Sequence, residues 1–167
     1  MSLLLALAVV SLLVSASLFV AMRCRLGLLK PGIVLLQFTF TEGAFRRVLE
    51  RWGQDGVRRF SSHFPLDYGF LTAYAVFGAS LGTWVSGNAV PGMASAALLP
   101  WLLPGAAVFD AVENQFHQRH VDAVPGSLPR ACFLAAGLAA SAKWLLILAF
   151  WPCAALVWAA PHWGALG

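Results

Sequence analysis

Four apolar runs divide this 167-residue chain, and each run is long enough to cross a membrane. A bilayer core needs about 20 consecutive apolar residues, and because it holds no water, each run must satisfy its own backbone as a helix. The pattern therefore predicts an all-α fold, a single membrane domain of residues 1–167 that forms a four-transmembrane-helix bundle. The predicted spanning helices cover residues 3–22, 64–85, 90–116 and 131–158.

A further helix is predicted in the polar segment between the first two apolar runs. Over residues 42–52, apolar side chains recur at helical spacing opposite a mostly basic face; they are Phe45, Val48, Leu49 and Trp52. This pattern is typical of an amphipathic helix that lies on a membrane surface. Thr39 and Glu42 have the spacing of a capping box, which would start the helix, and Gly53 is expected to end it.

The composition also indicates a membrane protein, because 60% of the residues are hydrophobic and only 11% are charged. A soluble domain carries roughly 25% charged residues. The first apolar run contains no charge, and Arg23 and Arg25 follow it rather than precede it. Signal peptides carry their positive charge before the apolar stretch, so we expect the first run to be a retained helix.

The basic residues are unevenly distributed, and this predicts the orientation. Eight of the eleven Lys and Arg residues lie between the first two spans, and none lies in the second connection or after residue 158. Positively charged loops stay cytoplasmic, so we expect a bacterial inner-membrane protein with both termini outside. The formal charge of +4 then reflects topology and contact with anionic lipids, and nucleic acid is not an expected partner.

The candidate site is a set of polar residues near the cytoplasmic ends of the second and third spans. Asp110, Glu113 and Asn114 share one face of the third helix, while Asp67 and Tyr74 share a face of the second. The short connection makes these helices antiparallel neighbours. Acids inside a membrane cost about 2.5–3.5 kcal/mol each on insertion scales, so other groups must compensate them. The predicted binding residues are Asp67, Tyr74, Asp110, Glu113, Asn114, Arg46 and Arg47.

Three explanations of these acids are open from the sequence. Arg46, Arg47, Arg58 and Arg59 could pair with them in a structural network. The same polar cup, lidded by Arg46 and Arg47, could bind a lipid headgroup or another amphiphile. The acids could also bind metal together with His117 and His63, because carboxylate and imidazole suit iron, manganese or zinc. Only one acidic stripe is present, so the sequence predicts no metal and no cofactor.

Two features of the spanning helices bear on the alternatives. Lys143 lies near the middle of the fourth helix, where no acidic partner is evident at its depth, so we expect it to reach a carbonyl or hydroxyl or to snorkel outward. Gly78 and Gly82 have the small-xxx-small spacing that lets helices approach closely. If these glycines face outward, they favour a small subunit of a larger membrane complex.

Several of these positions form a pattern shared with a known group. They read Phe40-Thr41, Trp52-Gly53, Leu66-Asp67, Phe70, Tyr74 and Asp110-x-x-Glu113-Asn114. With this pattern the chain resembles a group of small bacterial four-helix integral membrane proteins. The resemblance covers most of the first three helices. It implies a four-helix fold in which the acidic cluster is a shared feature, and it implies no activity.

The leading functional prediction is an amphiphile-binding, lipid-binding or accessory membrane protein with a polar cup at the cytoplasmic boundary. One alternative is a metal-dependent membrane enzyme acting on a lipid-like substrate, and another is a small subunit of a larger complex. Membrane lipids are the expected partners, with a partner membrane subunit or a second copy of the chain as the alternative. The sequence contains no Walker loop, nucleophile elbow or dinucleotide fingerprint, so no catalytic residue is predicted.

Overall fold

The computed structural model describes residues 2–90 and 92–163, so residues 1, 91 and 164–167 of the predicted domain lie outside the described part. The described residues form five helices and no strand, which confirms the all-α prediction. The helices are α1 (Leu3–Leu26), α2 (Ile33–Gln37), α3 (Glu42–Ser86), α4 (Ala94–Asp122) and α5 (Arg130–Trp163). The short helix α2 was not predicted.

Among the described helices, three are long and apolar enough to cross a membrane, namely α1, α4 and α5. The second predicted span lies in α3. That part of α3 contains Asp67 and several small or weakly polar residues, including Gly78, Ser80 and Gly82, and these lower its hydropathy. The structure therefore supports a helical membrane protein with three apolar helices, and the count of four spans stays a prediction.

Helix α3 consists of two helical parts that meet at Gly53, where φ is +62°. Glycine adopts positive φ readily because it has no Cβ. The predicted end of the amphipathic helix at Gly53 is therefore confirmed. The backbone is helical again over 54–86, so residues 54–63, which precede the second predicted span, extend the same helix that carries this span.

Helix α3 begins at Glu42, where the amphipathic helix was predicted to begin, but its N-cap is not the predicted Thr39. The N-cap is Thr41, whose hydroxyl accepts a hydrogen bond from the Ala44 amide at 3.3 Å. Thr39 instead donates its hydroxyl to the Leu36 carbonyl at 2.7 Å. That hydrogen bond lies at the end of α2. The hydroxyl of Thr39 is therefore used in the preceding turn and does not cap the amphipathic helix.

Helix α3 is central in the bundle, with α1 against one side and α4 against another, while α5 packs on α4. Gly78 and Gly82 face α4. A Cβ on Gly78 would lie 2.3 Å from Leu103 Cβ, and a Cβ on Gly82 would lie 2.7 Å from Pro100 Cα. Only glycine allows α3 and α4 to approach this closely. These glycines do not form the outward face on which the subunit alternative relied.

The half of the bundle near the α3–α4 connection is filled by apolar side chains from α3, α4 and α5. Leu99, Phe150 and Val157 are 0% exposed, and Phe77 and Leu103 are also buried. Phe77 and Phe150 contact each other across α3 and α5, with ring centroids 6.3 Å apart. We call this region the apolar half.

At the other end of the bundle, the helix formed by residues 42–52 folds onto the protein, and we call it the lid. Phe45 packs against Phe133 of α5, and Trp52 packs against Phe60, with ring centroids 6.0 and 5.3 Å apart. Phe45 is 0% exposed. The apolar face was predicted to lie on a membrane surface, and this is wrong because α2, α3 and α5 bury it in an internal aromatic core.

Candidate functional site

A lysine from α5 forms ion pairs with two acids on one face of α4. Nζ of Lys143 lies 3.0 Å from Oδ1 of Asp110 and 2.6 Å from Oε2 of Glu113. All three residues are buried, with exposures of 3%, 6% and 0%. The expectation that Lys143 has no acidic partner is therefore wrong, and the ammonium group is the counter-ion of both carboxylates. Buried charges need such pairing to offset their loss of hydration.

Two hydrogen bonds connect the remaining predicted polar residues across α3 and α4. The Tyr74 hydroxyl donates to Oδ2 of Asp110 at 3.2 Å, and Nδ2 of Asn114 donates to Oδ2 of Asp67 at 2.5 Å. Asp67 is half-buried and Asn114 is buried. The structure thus brings together the five predicted residues of the cup. We call the following set the polar cluster: Asp67, Tyr74, Asp110, Glu113, Asn114 and Lys143.

The two arginines predicted to cover the cup lie elsewhere. Arg46 donates to the Ala123 carbonyl at 2.7 Å and lies 3.5 Å from the Glu42 carboxylate, whereas Arg47 is exposed. In the described part of the chain, no ion pair joins either arginine to an acid of the polar cluster. The predicted arginine network is therefore wrong for these two residues, and Lys143 supplies the compensating charge.

The lid places an aromatic ring against His117, which lies one turn beyond Glu113 on the same face of α4. Phe45 stacks on His117 with ring centroids 5.7 Å apart and meets His120 edge-on at 5.2 Å. Nδ1 of His117 lies 3.5 Å from Oε1 of Glu113, so the stripe of α4 continues up to the lid. His120 lies beyond residue 116, where the third helix was predicted to end, but α4 continues to Asp122 and His120 is buried within it.

The residues named for a metal site do not form a ligand set. Among the side chains that the structure describes, no group of three or more His, Cys, Asp or Glu residues is placed to hold one ion. His63 forms a hydrogen bond through Nδ1 with the Phe60 carbonyl, and His117 faces Glu113. As arranged here, these two imidazoles contact protein groups and do not converge on a common point.

The positions of the helix ends show why Lys143 lies at the depth of Asp110. Asp110 lies twelve residues before the end of α4 at Asp122, and Lys143 lies thirteen residues after the start of α5 at Arg130. A short loop between antiparallel helices brings such positions to the same depth. The third helix was predicted to end at residue 116, which placed Asp110 too close to the end of its helix. For that reason the sequence did not show that Asp110 and Lys143 lie at the same depth.

The polar cluster carries more negative than positive formal charge, because it contains three carboxylates and one ammonium, and the ammonium pairs with only two of them. In the apolar half of the described bundle, by contrast, no charged side chain is buried, and Phe77, Leu103 and Phe150 fill the space beyond Tyr74. The arrangement can therefore hold a charge reached from one end, and it offers no continuous charged path through the described bundle.

Comparisons with protein-family models, with curated proteins and with solved structures found no match. The resemblance to small bacterial four-helix membrane proteins therefore stays a prediction. Any functional conclusion depends on the chemistry of the polar cluster and of the basic surface around the lid.

Proposed function

We propose that the chain is a four-span protein of the bacterial inner membrane, with both termini outside. The second of the four spans is the 54–86 part of α3, which packs between two apolar helices, α1 and α4. At 1.5 Å per residue this part is about 50 Å long, which exceeds the roughly 30 Å of a bilayer core. The basic residues around the lid favour a cytoplasmic position for the lid and the polar cluster.

In this proposal the protein binds a cationic amphiphile, whose amine is held by the polar cluster while its chain stays in the lipid. The observation that carries it is the ratio of three carboxylates to one ammonium. Acids inside a membrane are costly, and a buried charge without a partner is more costly than a paired one. A second cation, supplied by the ligand, would balance the negative charge that Lys143 leaves uncompensated.

The ligand amine is expected to bind at Asp67. This carboxylate is half-buried, so it forms the accessible edge of the cluster, and it accepts a hydrogen bond from the neutral amide of Asn114. Lys143 lies deeper, between Asp110 and Glu113. An ammonium group at Asp67 would form a charge-assisted hydrogen bond without displacing the lysine.

The test is native mass spectrometry of the detergent-purified protein with dodecylamine, using dodecanol as the uncharged probe of equal chain length. We expect the protein to retain dodecylamine and to release dodecanol. Asp67→Asn should weaken retention about tenfold or more, because a hydrogen bond to a charged group is worth about 1.5–3 kcal/mol. Asp122→Asn is the matched control, since Asp122 is an exposed acid outside the cluster.

Equal retention of dodecylamine by Asp67→Asn and Asp122→Asn would overturn this proposal and leave the cluster with a structural role. Metal analysis of the same samples tests the enzyme alternative. A stoichiometric metal ion that is lost in His117→Ala would favour a metal-dependent enzyme acting on a lipid-like substrate. A co-purifying second polypeptide would favour the subunit alternative.

A further inference from the structure

A second polar site, which shares no residue with the polar cluster, lies where the lid meets the second part of α3, in a groove of about 320 Å³. One wall is the segment that follows α1, and the other wall spans the Gly53 break of α3. The groove is lined by Leu28, Leu29, Lys30, Arg51, Trp52, Asp55, Gly56 and Arg59. We call it the basic groove.

Three cations line the basic groove, and the one acid among its lining residues has another partner. Lys30, Arg51 and Arg59 are exposed, and no ion pair joins them to an acid within the described residues. Asp55 pairs with Arg58, with 2.8 Å between its Oδ1 and the guanidinium Nη2. The groove therefore presents positive charge that the protein itself does not neutralise, as an anion-binding site requires.

The walls of the groove are fixed by specific contacts. Trp52 is 8% exposed and donates its indole N–H to the Pro31 carbonyl at 2.7 Å, which ties the segment after α1 to the lid. A Cβ on Gly56 would lie 2.6 Å from Trp52 Cβ and 3.1 Å from Leu29, so glycine lets the two walls meet at the floor. The cations thus project from a closed, ordered floor.

The segment that follows α1 exposes apolar side chains at the basic groove and in the neighbouring helix α2. Leu28 lines the groove and is 85% exposed, while Val34 and Leu35 of α2 are 49% and 55% exposed. α1 is apolar enough to span a membrane, so the groove begins within a few residues of a membrane boundary. If a phospholipid phosphate occupies the groove, its acyl chains can contact Leu28. A free phosphate ion has no apolar part and would make no such contact.

We infer that the basic groove binds the phosphate of an anionic phospholipid. Lys30, Arg51 and Arg59 contact the phosphate oxygens, and guanidinium groups are well suited to this because their donors can bind two oxygens at once. The site is separate from the polar cluster, and it attracts the opposite charge. Its test can therefore fail while the amine-binding proposal stands, and the reverse also holds.

The experiment is native mass spectrometry of the full-length protein released from nanodiscs of phosphatidylcholine mixed with phosphatidylglycerol. We expect a retained phosphatidylglycerol molecule in the unaltered protein. Arg51→Gln and Arg59→Gln should each lower the retained fraction about fivefold, since a basic residue near an anionic membrane contributes about 1 kcal/mol. The matched controls are Arg47→Gln and Arg119→Gln, which remove exposed arginines outside the groove.

Equal losses in the groove variants and in the controls would overturn the inference, because they would show general attraction of a basic surface to anionic lipid. A second arm adds inorganic phosphate to the lipid-free detergent sample. Phosphate binding that needs Arg51 and Arg59, without retained phosphatidylglycerol, would overturn the lipid as the ligand. Thermal unfolding of each variant checks that its fold is unchanged, which we expect because the substituted arginines are exposed.

Discussion

The apolar half and the ion-paired residues of the polar cluster are equally buried, yet they are built on different physical requirements. Leu99 and Phe150 in the apolar half are 0% exposed, and Glu113 and Lys143 in the cluster are 0% and 3% exposed. An apolar core requires that its volume be filled, so substitutions of similar volume are tolerated. A buried charge requires its own partner. Equal burial therefore predicts sensitivity to volume in one region and to charge in the other.

The largest expected effect is that of Lys143→Met, which keeps the length of the side chain and removes the ammonium. It leaves Asp110 and Glu113 buried without their counter-ion. Breaking a buried ion pair from one side costs about 3–5 kcal/mol. We expect a loss of this size in the free energy of unfolding, measured by denaturant titration in a fixed detergent.

The control for this prediction restores the balance of charge rather than the lysine. Adding Asp110→Asn and Glu113→Gln to Lys143→Met removes the uncompensated carboxylates, and it should recover a large part of the lost stability. If Lys143→Met is as stable as Lys30→Met, which changes an exposed lysine, the two buried regions do not differ in the way described.

A volume change in the bundle should have an intermediate effect. Gly78→Ala places a Cβ 2.3 Å from Leu103 Cβ, and overpacking of this kind typically costs about 1–3 kcal/mol. Gly105→Ala is the matched control, because its Cβ would lie 3.4 Å from the flexible end of Leu146. Thermal unfolding of both variants measures the difference. Recovery of Gly78→Ala by Leu103→Ala would identify volume as the cause, and equal stability of the two glycine variants would contradict the close packing.

The smallest effect is expected from the two tyrosines, which form a matched pair. Tyr74→Phe removes the hydrogen bond to Asp110 in the buried cluster, and we expect a loss of about 1 kcal/mol in stability. Tyr68 is half-buried and accepts hydrogen bonds from Gln115 and Gln118. Tyr68→Phe should change stability by less, within about 0.5 kcal/mol as for most surface changes. The reverse order would contradict the distinction between buried and accessible polar groups.

The helical architecture could be predicted because it depends on local pattern. The apolar runs predicted the long helices. Gly53 predicted the break in α3, because the tendency to adopt a positive φ depends on the residue itself and not on its distant neighbours. Helix ends were predicted less well. Thr39 and Thr41 are both reasonable caps by residue type, and the choice between them depended on the unpredicted turn of α2, which uses Thr39 for its own carbonyl.

The composition of the site was predicted better than its partners. The helical periodicity placed Asp110, Glu113 and Asn114 on one face because they belong to one helix. Lys143 and Phe45 reach the site from other helices, and their positions depend on how α5 and the lid pack. The basic face of the lid suggested that arginines cover the site. The apolar face of the lid instead packs into an aromatic core with α2, α3 and α5, and this packing sets the position of the lid.

The length of the second part of α3 connects the lid to the bilayer itself. In the proposed orientation, this continuous helix of about 50 Å crosses a core of roughly 30 Å and projects on the cytoplasmic side up to Gly53. Spanning helices adjust to bilayer thickness by tilting. In this orientation the same helix carries the membrane-embedded residues and the base of the lid, so a change of its tilt would move the lid relative to the membrane. In the proposed orientation, bilayer thickness would therefore influence how Phe45 of the lid packs against His117.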